Sequence, residues 1–381
     1  MNQKTMTAQD LWDQISDDQK RILERNHFDA DQFVELRRAY LAGELGEEQN
    51  RIEAEVTAPG GDDVRALPER DSDEAKRYIE LGREAIEAGK VGIVVLNGGM
   101  ATRFGGVVKG CVEVFDGLSF IGLKALDVRR HGAGTKMLLM NSFATDEKTR
   151  EHLEENDYFG LERDQLISFN QNISVRLTPD GELFREGGDV SFYAPGHGDL
   201  PSAIGRGALQ QFREAGGEYL LMSNVDNVLA SIDPLVVGMH VDASNRGAEM
   251  TVESVQKKVV QVGGFVARVD GEPQVVEHFR LPDDSLKDEL QLLNTNTFMF
   301  DAEALDDGFD LTWFVVDKEV DGQTVIQFER LAGELSAFLK TTFVEVPARG
   351  DEARFQPIKR REDLAENRGR LERIARARGI V

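Results

Sequence analysis

From Lys90 onward, short apolar runs alternate with amphipathic helical patterns, and this alternation is typical of a doubly wound α/β sheet. The predicted strands are residues 93–96, 137–140, 166–169 and 219–222. Helical patterns lie between them at residues 148–155 and 203–215. Because the strand runs are uninterrupted apolar residues, they suit strands buried on both faces of a sheet. The sequence therefore predicts a mostly parallel, Rossmann-like sheet.

Two turn signals add antiparallel hairpins to that sheet. Pro179-Asp-Gly181 lies between apolar residues near positions 175 and 184, and Asp270-Gly271 lies between those near 265 and 276. Asp-Gly pairs favour tight hairpin turns, because glycine readily adopts the positive φ that these turns need. We therefore expect an α/β fold with antiparallel hairpin additions.

The two ends of the chain are predicted to be helical. Residues 1–89 carry no strand signal; Thr7 and Asp29 are suited to cap helices, and Asp71 with Glu74 resembles a capping box. After about residue 345 comes a loop and then a short basic amphipathic helix, whose arginine-rich face is more typical of a solvated surface than of nucleic-acid binding. We expect a helical segment at 1–89, the α/β domain at 90–345 and a helical extension at 346–381.

Composition limits the partners and the location of the protein. The formal charge of −24 over 381 residues argues against binding to nucleic acid or to an anionic membrane, since both are polyanions. The single cysteine, Cys111, excludes an intrachain disulfide and suits a reducing compartment. The N-terminus lacks the apolar core of a signal peptide, and no apolar run approaches the roughly 18 residues of a membrane span. We expect a soluble cytoplasmic protein.

The stretch from Val91 to Lys109 reads as a strand that runs into a phosphate-binding loop. Gly98 and Gly99 begin a glycine-rich segment, which continues to Gly105 and Gly106, and backbone N–H groups of such a segment can approach an anion closely. The spacing satisfies neither the dinucleotide fingerprint nor the mononucleotide P-loop. This counts against hydride transfer and ordinary ATPase chemistry, while a simple strand-to-helix turn stays open.

Polar residues follow the predicted strands, where open α/β sheets bind their ligands. Gln171 can hydrogen-bond a base edge with donor and acceptor together. Asp226 can hold Mg²⁺ through one carboxylate while water and substrate phosphates fill the other positions; a helix cap or loop carboxylate is the alternative. His197 lies in a loop where it is available to a phosphate, and Asn294 and Asn296 lie in an apolar run and need hydrogen-bond partners, such as sugar hydroxyls or backbone.

Taken together, these segments resemble the eukaryotic-type UTP–glucose-1-phosphate uridylyltransferases, also called UDP-glucose pyrophosphorylases. The motifs lie between about residues 91 and 360, in the order found in the family: Leu96-Asn-Gly-Gly99, Met140-Asn-Ser-Phe143, Phe169-Asn-Gln171, Pro195-Gly-His-Gly-Asp199, Ser223-Asn224 with Asp226-Asn227, Gly263-Gly264, Asn294-Thr-Asn296 and Val325-Ile-Gln327 with Glu329. The resemblance implies a nucleotidyltransferase-type sheet and Mg²⁺-assisted attack of a hexose 1-phosphate on the α-phosphorus of UTP. Such chemistry depends on positioning and charge neutralisation, so the lack of a nucleophile or paired carboxylates fits it.

The resemblance also implies roles for individual residues. Lys109, Lys318 and Asp226 would act on the phosphates, with Asp226 as the metal ligand. The nucleotide would contact Leu96, Gly98, Gly99, Gln171, Gly196, His197 and Asn224. The sugar would contact Gly264, Glu277, Asn294 and Asn296.

Three departures from the family pattern bear on these expectations. Val108 stands before Lys109 where the family usually has proline, and Met100-Ala101 replaces a Leu-Gly pair. The family's C-terminal β-helix is expected to be absent, so its oligomer contacts are not carried over. The alternatives are another UDP-sugar pyrophosphorylase, acting on N-acetylhexosamine or several sugars, and a non-catalytic sugar-nucleotide sensor; an NAD-dependent oxidoreductase is disfavoured by the glycine pattern.

Overall fold

The computed structural model describes residues 6–101, 106–257, 263–305 and 308–381. The helices are α1 Ala8–Trp12, α2 Asp17–Arg25, α3 Ala30–Leu41, α4 Asp73–Glu87, α5 Phe120–Arg129, α6 Asp146–Glu155, α7 Leu200–Gly205, α8 Ala208–Glu214, α9 Pro234–Ser244, α10 Leu286–Glu289 and α11 Arg361–Ala377. The strands are β1 Val56–Thr57, β2 Val64–Ala66, β3 Val91–Leu96, β4 Met100–Ala101, β5 Val107–Val108, β6 Glu113–Phe115, β7 Leu118–Ser119, β8 Lys136–Asn141, β9 Leu166–Asn170, β10 Ser174–Val175, β11 Arg185–Glu186, β12 Asp189–Val190, β13 Phe192–Tyr193, β14 Tyr219–Asn224, β15 Met250–Gln256, β16 Gly264–Val269, β17 Glu272–Glu277, β18 Leu292–Asp301, β19 Phe314–Val320, β20 Gln323–Glu329 and β21 Thr341–Glu345.

Within the described ranges, eleven strands form one mixed sheet. Its main path runs β2–β21–β15–β18–β14–β3–β8–β9, and β16 joins at β18 and carries β17 and β1. Neighbours from β14 to β9 are parallel, as are β15, β21 and β2, whereas β18 runs antiparallel between β14 and β15. This confirms the predicted mostly parallel α/β sheet with antiparallel additions.

The central strand β3 is buried because helices cover both faces of the sheet. Ile93 and Val95 pack into one apolar cluster with residues of α4, α5 and α11. Val94 points to the opposite face, where Phe212 of α8 and residues of α7 contribute to a second cluster. Each fully buried aliphatic side chain stabilises such a core by roughly 1.5–3 kcal/mol. The two-sided burial explains why the strand sequences are continuous apolar runs.

The predicted strands of the sheet are confirmed as β3, β8, β9 and β14, each with ends within two residues of the prediction. The predicted helix at 148–155 is α6, and the Asp270-Gly271 turn joins the antiparallel pair β16 and β17. The single helix predicted at 203–215 is wrong, because Gly207 adopts a φ of 119° and separates α7 from α8.

The N-terminal segment contains the predicted helices and also two strands. Thr7 and Asp29 cap α1 and α3 as expected, but the cap of α4 is Ser72, one residue after the predicted Asp71. The expectation that residues 1–89 lack strands is wrong, since β1 pairs with β16 and β2 with β21. Strands of two and three residues are too short to show alternation, and their partners are more than 200 residues away. The division of the chain at residues 89 and 345 remains a prediction.

The predicted C-terminal helix is confirmed as α11. Its residues Leu371, Ile374 and Ala375 are buried in the same apolar cluster as Ile93 of β3. In the part of the chain that is described, no helix is both long enough and apolar enough to cross a bilayer.

Candidate active site

The carboxyl ends of β3, β8, β9 and β14 lie at one edge of the sheet, beside a cavity of about 650 Å³. Ten of the residues that the sequence assigned to nucleotide or phosphate line this cavity: Leu96, Gly98, Gly99, Lys109, Gln171, Gly196, His197, Asn224, Asp226 and Lys318. They come from five separate stretches of chain. Their individual roles remain predictions, but the fold brings all ten together.

Two lysine ammonium groups meet on one carboxylate in this cavity. Lys109 Nζ lies 2.5 Å from Asp226 Oδ2, and Lys359 Nζ lies 3.3 Å from the same oxygen. The Asp226 carboxylate is almost completely buried, whereas Lys359 is half-exposed. The arrangement places two positive charges at the end of β14, where phosphates of a bound nucleotide would need them.

Sequence reasoning missed Lys359, which lies in the loop before α11. The backbone explains how it reaches the cavity. Ile358 N–H donates to the carbonyl oxygen of Asp226 at 3.2 Å. The Asn227 side chain also donates to the carbonyl of Arg354 and accepts from the N–H of Gln356. No local pattern around Lys359 could have revealed these bonds, since they join residues about 130 positions apart.

Lys318, by contrast, reaches the cavity from a separate hairpin. It lies on β19, which pairs only with β20 among the described strands, and its ammonium group lies 3.4 Å from Glu329 Oε1. Its side chain is 46% exposed. Lys318 therefore forms part of the cavity wall, whereas Lys109 and Lys359 contact Asp226 directly.

The glycine loop approaches Gln171 so closely that a side chain on Gly98 would not fit. Ser142 Oγ donates to the carbonyl of Gly98 at 2.7 Å, which fixes the loop against β8. A Cβ on Gly98 would lie 1.8 Å from Gln171 Nε2. Glycine at this position thus leaves room for the Gln171 amide, which is buried at the cavity.

Val108, the departure before Lys109, is 3% exposed and lies in β5, which pairs with β4. Packing and strand pairing therefore hold this position, where the family has proline. Gly105, which the sequence placed in the same loop, lies outside the described residues.

His197 is held as a neutral hydrogen-bond donor. Its Nδ1 accepts the backbone N–H of Ala332 at 3.0 Å, so the proton is on Nε2. Burial, aided by the positive charge of Lys359, lowers the pKa of His197 to about 4. The preceding Gly196 has a φ of 88°, and a Cβ there would lie 2.5 Å from the carbonyl oxygen of Arg330. Close contact with the chain after β20 therefore requires glycine before His197.

The four residues assigned to the sugar are not part of the cavity lining, although Asn296 contacts Asn224, which is. Asn296 Nδ2 donates to Asn224 Oδ1 at 3.1 Å, and Asn294 Oδ1 accepts the N–H of Asn296. Asn296 has a φ of 54° within β18, a strained conformation of the kind found at functional sites. Gly264 pairs with Glu277 across β16 and β17. Burial raises the pKa of Glu277 to about 7.

Asp226 is the residue best suited to hold a metal ion. Its Oδ2 contacts the two lysines, while its Oδ1 is buried and has no hydrogen-bond partner within the described residues. No group of three or more His, Cys, Asp or Glu side chains in those residues could form an all-protein metal site. A single carboxylate with an unsatisfied oxygen fits Mg²⁺, which usually keeps water and substrate phosphates as its other ligands.

Comparison with known proteins agrees with this geometry. Residues 30–373 match the model of a family described as UTP–glucose-1-phosphate uridylyltransferase. The chain belongs to the UTP–glucose-1-phosphate uridylyltransferase family. Membership confirms the family and the enzyme class predicted from the motifs, nucleotidyl transfer.

Individual relatives extend the match over most of the chain. The uridylyltransferase of Hordeum vulgare is 28% identical over 358 residues, which cover 87% of this chain and 71% of the relative. The uridylyltransferase of Pyrus pyrifolia is also 28% identical, over 92% of this chain and 76% of the relative.

Solved structures share the fold of this uridylyltransferase-family chain. A UDP-glucose pyrophosphorylase mutant from Leishmania major, in complex with UDP-glucose, has a TM-score of 0.70 and 23% identity over 92% of this chain and 78% of its own. A uridine diphosphate N-acetylglucosamine pyrophosphorylase from Trypanosoma brucei has a TM-score of 0.71 and 20% identity over 97% of this chain and 85% of its own. The fold alone therefore does not identify the sugar.

Proposed function

We propose that the protein makes UDP-glucose and pyrophosphate from UTP and glucose 1-phosphate. The observation that carries this proposal is the pair of ammonium groups on Asp226, beside a cavity lined by the buried amide of Gln171. One end of such a site suits phosphates and the other suits a base edge. The relatives named for this reaction, at 28% identity over most of the chain, support glucose 1-phosphate as the acceptor.

In this reaction a phosphate oxygen of glucose 1-phosphate forms a bond to the α-phosphorus of UTP. The bond from that phosphorus to the oxygen between the α- and β-phosphates breaks, and this oxygen leaves with pyrophosphate. The attacking phosphate is already ionised, so no general base is needed. The protein must position the two substrates and offset the charge on the phosphate oxygens. We assign the charge-offsetting task to Lys109 and Lys359, because both ammonium groups contact Asp226 Oδ2 in the cavity.

The neighbouring residues bind and orient the nucleotide. The Gln171 amide has a donor and an acceptor for the uracil edge, and Gly98 leaves room for it. His197 is neutral and donates from Nε2, so it stabilises a phosphate oxygen without adding charge. The contact between Asn224 and Asn296 joins the nucleotide end of the site to the sugar end.

Magnesium is part of the proposal, with Asp226 as its protein ligand through the unsatisfied Oδ1. When bound, Mg²⁺ supplies positive charge to the substrate phosphates. The lysines would then keep the Asp226 side chain oriented while its second oxygen, Oδ1, is left without a hydrogen-bond partner within the described residues.

The test is to incubate the protein with Mg²⁺, UTP and one of three sugar 1-phosphates, those of glucose, galactose and N-acetylglucosamine, and to measure pyrophosphate release. We expect release with glucose 1-phosphate, and release at least about a hundredfold slower from the Lys109→Met variant purified in the same way. A higher kcat/KM for N-acetylglucosamine 1-phosphate would instead identify an acetylhexosamine enzyme. Binding of UDP-glucose without turnover would identify a sensor.

A further inference from the structure

The segment that carries Asp226 is buried, and its backbone must find hydrogen-bond partners inside the protein. From Ser223 to Ala230, every residue except the half-buried Asn224 is less than a tenth exposed. The segment begins with the last two residues of β14 and is irregular from Val225 onward, so strand pairing does not satisfy its later carbonyl groups. Buried carbonyl groups are almost always hydrogen-bonded, and here a side chain from a distant helix serves two of them.

That side chain is Lys124, on the buried helix α5. Lys124 is 1% exposed. Its ammonium group donates to Ser223 Oγ at 3.0 Å, to the carbonyl of Asn227 at 2.9 Å and to the carbonyl of Ala230 at 2.6 Å. An ammonium group has three donors, so these neutral oxygens use its full capacity. Among the residues that the structure describes, no carboxylate bonds this ammonium group, although burying an ammonium group without a bonded counter-charge is costly.

The position of these three acceptors connects Lys124 to the active site. Ser223 precedes Asp226, Asn227 follows it directly, and Ala230 closes the segment. The Lys124 ammonium group thus bonds the chain before and after Asp226. The Asp226 carboxylate itself contacts Lys109 and Lys359 in the cavity. Burial lowers the pKa of Lys124 to about 8, and the nearby Asp127 and Asp226 favour its charged form while Arg354 opposes it.

We propose that Lys124 is a positioning residue for uridylyl transfer: by bonding Ser223, Asn227 and Ala230 it holds the buried segment in the one conformation that points Asp226 at the phosphates. The inference rests on the proposed function, because it takes Asp226 to act on UTP. Lys124 itself does not line the cavity and is not expected to touch a substrate.

The test compares Lys124→Met with a matched control, Lys136→Met. Methionine keeps an apolar stem of similar length and removes the three donors. Lys136 is also a buried lysine, 7% exposed, but it lies at the start of β8, at the opposite edge of the sheet, and bonds Asp164 and the carbonyl of Ala133. We expect Lys124→Met to lower kcat at least about tenfold and leave KM for glucose 1-phosphate within about twofold, since Asp226 is displaced but the sugar set is not.

Calorimetric titration with Mg²⁺ and UTP gives a readout that does not depend on turnover. We expect weaker binding to Lys124→Met and unchanged binding to Lys136→Met, even if both variants melt at lower temperature. A folded Lys124→Met with wild-type kcat, or equal losses of activity in both variants, would overturn the proposal. An inactive wild-type protein would instead refute the proposed function.

If Lys124→Met does not fold, Ser223→Ala replaces it, because it removes one acceptor and leaves both carbonyl bonds in place. A kcat lowered at least about threefold, with KM for glucose 1-phosphate unchanged, would support the positioning role. A kcat equal to that of the wild type would refute it.

Discussion

The carboxyl group of Glu277 gives the protein a stability that depends on pH in a predictable direction. Burial raises its pKa from an ordinary value of 4.5 to about 7, with Arg280 opposing the rise. Between these two pH values the folded protein holds a proton that the unfolded chain has released. Stability therefore falls as the pH rises through this window and stays lower above it.

The magnitude follows from the size of the pKa change. Each pH unit within the window changes the free energy of unfolding by about 1.4 kcal/mol. Between pH 5.5 and pH 8 the change is about 2 kcal/mol, and because Glu277 keeps some contact with water we expect about 1–2 kcal/mol. A pH of 5.5 also keeps the protein away from its isoelectric point near 4.7.

The perturbation is Glu277→Gln, which removes the titration and keeps the shape. Urea unfolding at pH 5.5 and pH 8 measures the free energy of unfolding of wild type and variant. We expect the variant to gain about 1–2 kcal/mol relative to wild type at the higher pH. Glu272→Gln, at the exposed start of the same strand, is the control and should show no such gain. A difference between wild type and Glu277→Gln that is the same at both pH values would refute the reasoning.

Five further substitutions test the site. Lys109→Met and Lys359→Met should each lower kcat at least about a hundredfold, or about 3 kcal/mol, because each removes an ammonium group beside Asp226. Lys318→Met should lower kcat less than about tenfold in the same assay, because its ammonium group lies beside Glu329; a hundredfold loss there would support the role on the phosphates that the resemblance implies. Asp226→Asn should raise the Mg²⁺ concentration needed for half-maximal rate, and an unchanged titration would remove Asp226 as metal ligand. Gly98→Ala should raise KM for UTP at least about tenfold without lowering the melting temperature greatly, since the added methyl group collides with the base-reading amide; a normal KM would contradict the assignment of uracil to this pocket.

The strands and the residues at their ends could be predicted because both depend on local sequence. β3 and β14 are buried on both faces, so their apolar runs stand out, and the polar residues that follow them mark the edge of the sheet. Parallel pairing brings Leu96 beside Asn224 without any further information. The other candidates, among them His197 and Lys318, were assigned through the resemblance to the family, and the fold brings all ten to one cavity.

The rest of the site depends on contacts that no local pattern encodes. Lys359 lies in a loop among other basic residues, and only the return of the chain after β21 places it against Asp226. Lys318 has no distinctive local signal either, and only the fold shows that it lines the cavity from a separate hairpin, with its ammonium group 3.4 Å from Glu329 Oε1. The short strands β1 and β2 were missed for a related reason, because their pairing partners, not their own residues, make them strands.

The charge of the molecule and the charge of its site have opposite signs, and the fold explains how both are maintained. The protein carries −24 overall, which would repel a nucleoside triphosphate if the charge were uniform. The cavity is instead lined by four cationic side chains against two carboxylates: Lys109, Arg176, Lys318 and Lys359, with Asp226 and Glu319. At physiological salt, charges more than about 8 Å apart on the surface are largely screened from each other. The side chains that line the cavity therefore dominate the electrostatic potential at a phosphate bound there. Asp226 serves this balance in a second way, because it holds Lys109 and Lys359 together, where two ammonium groups alone would repel each other.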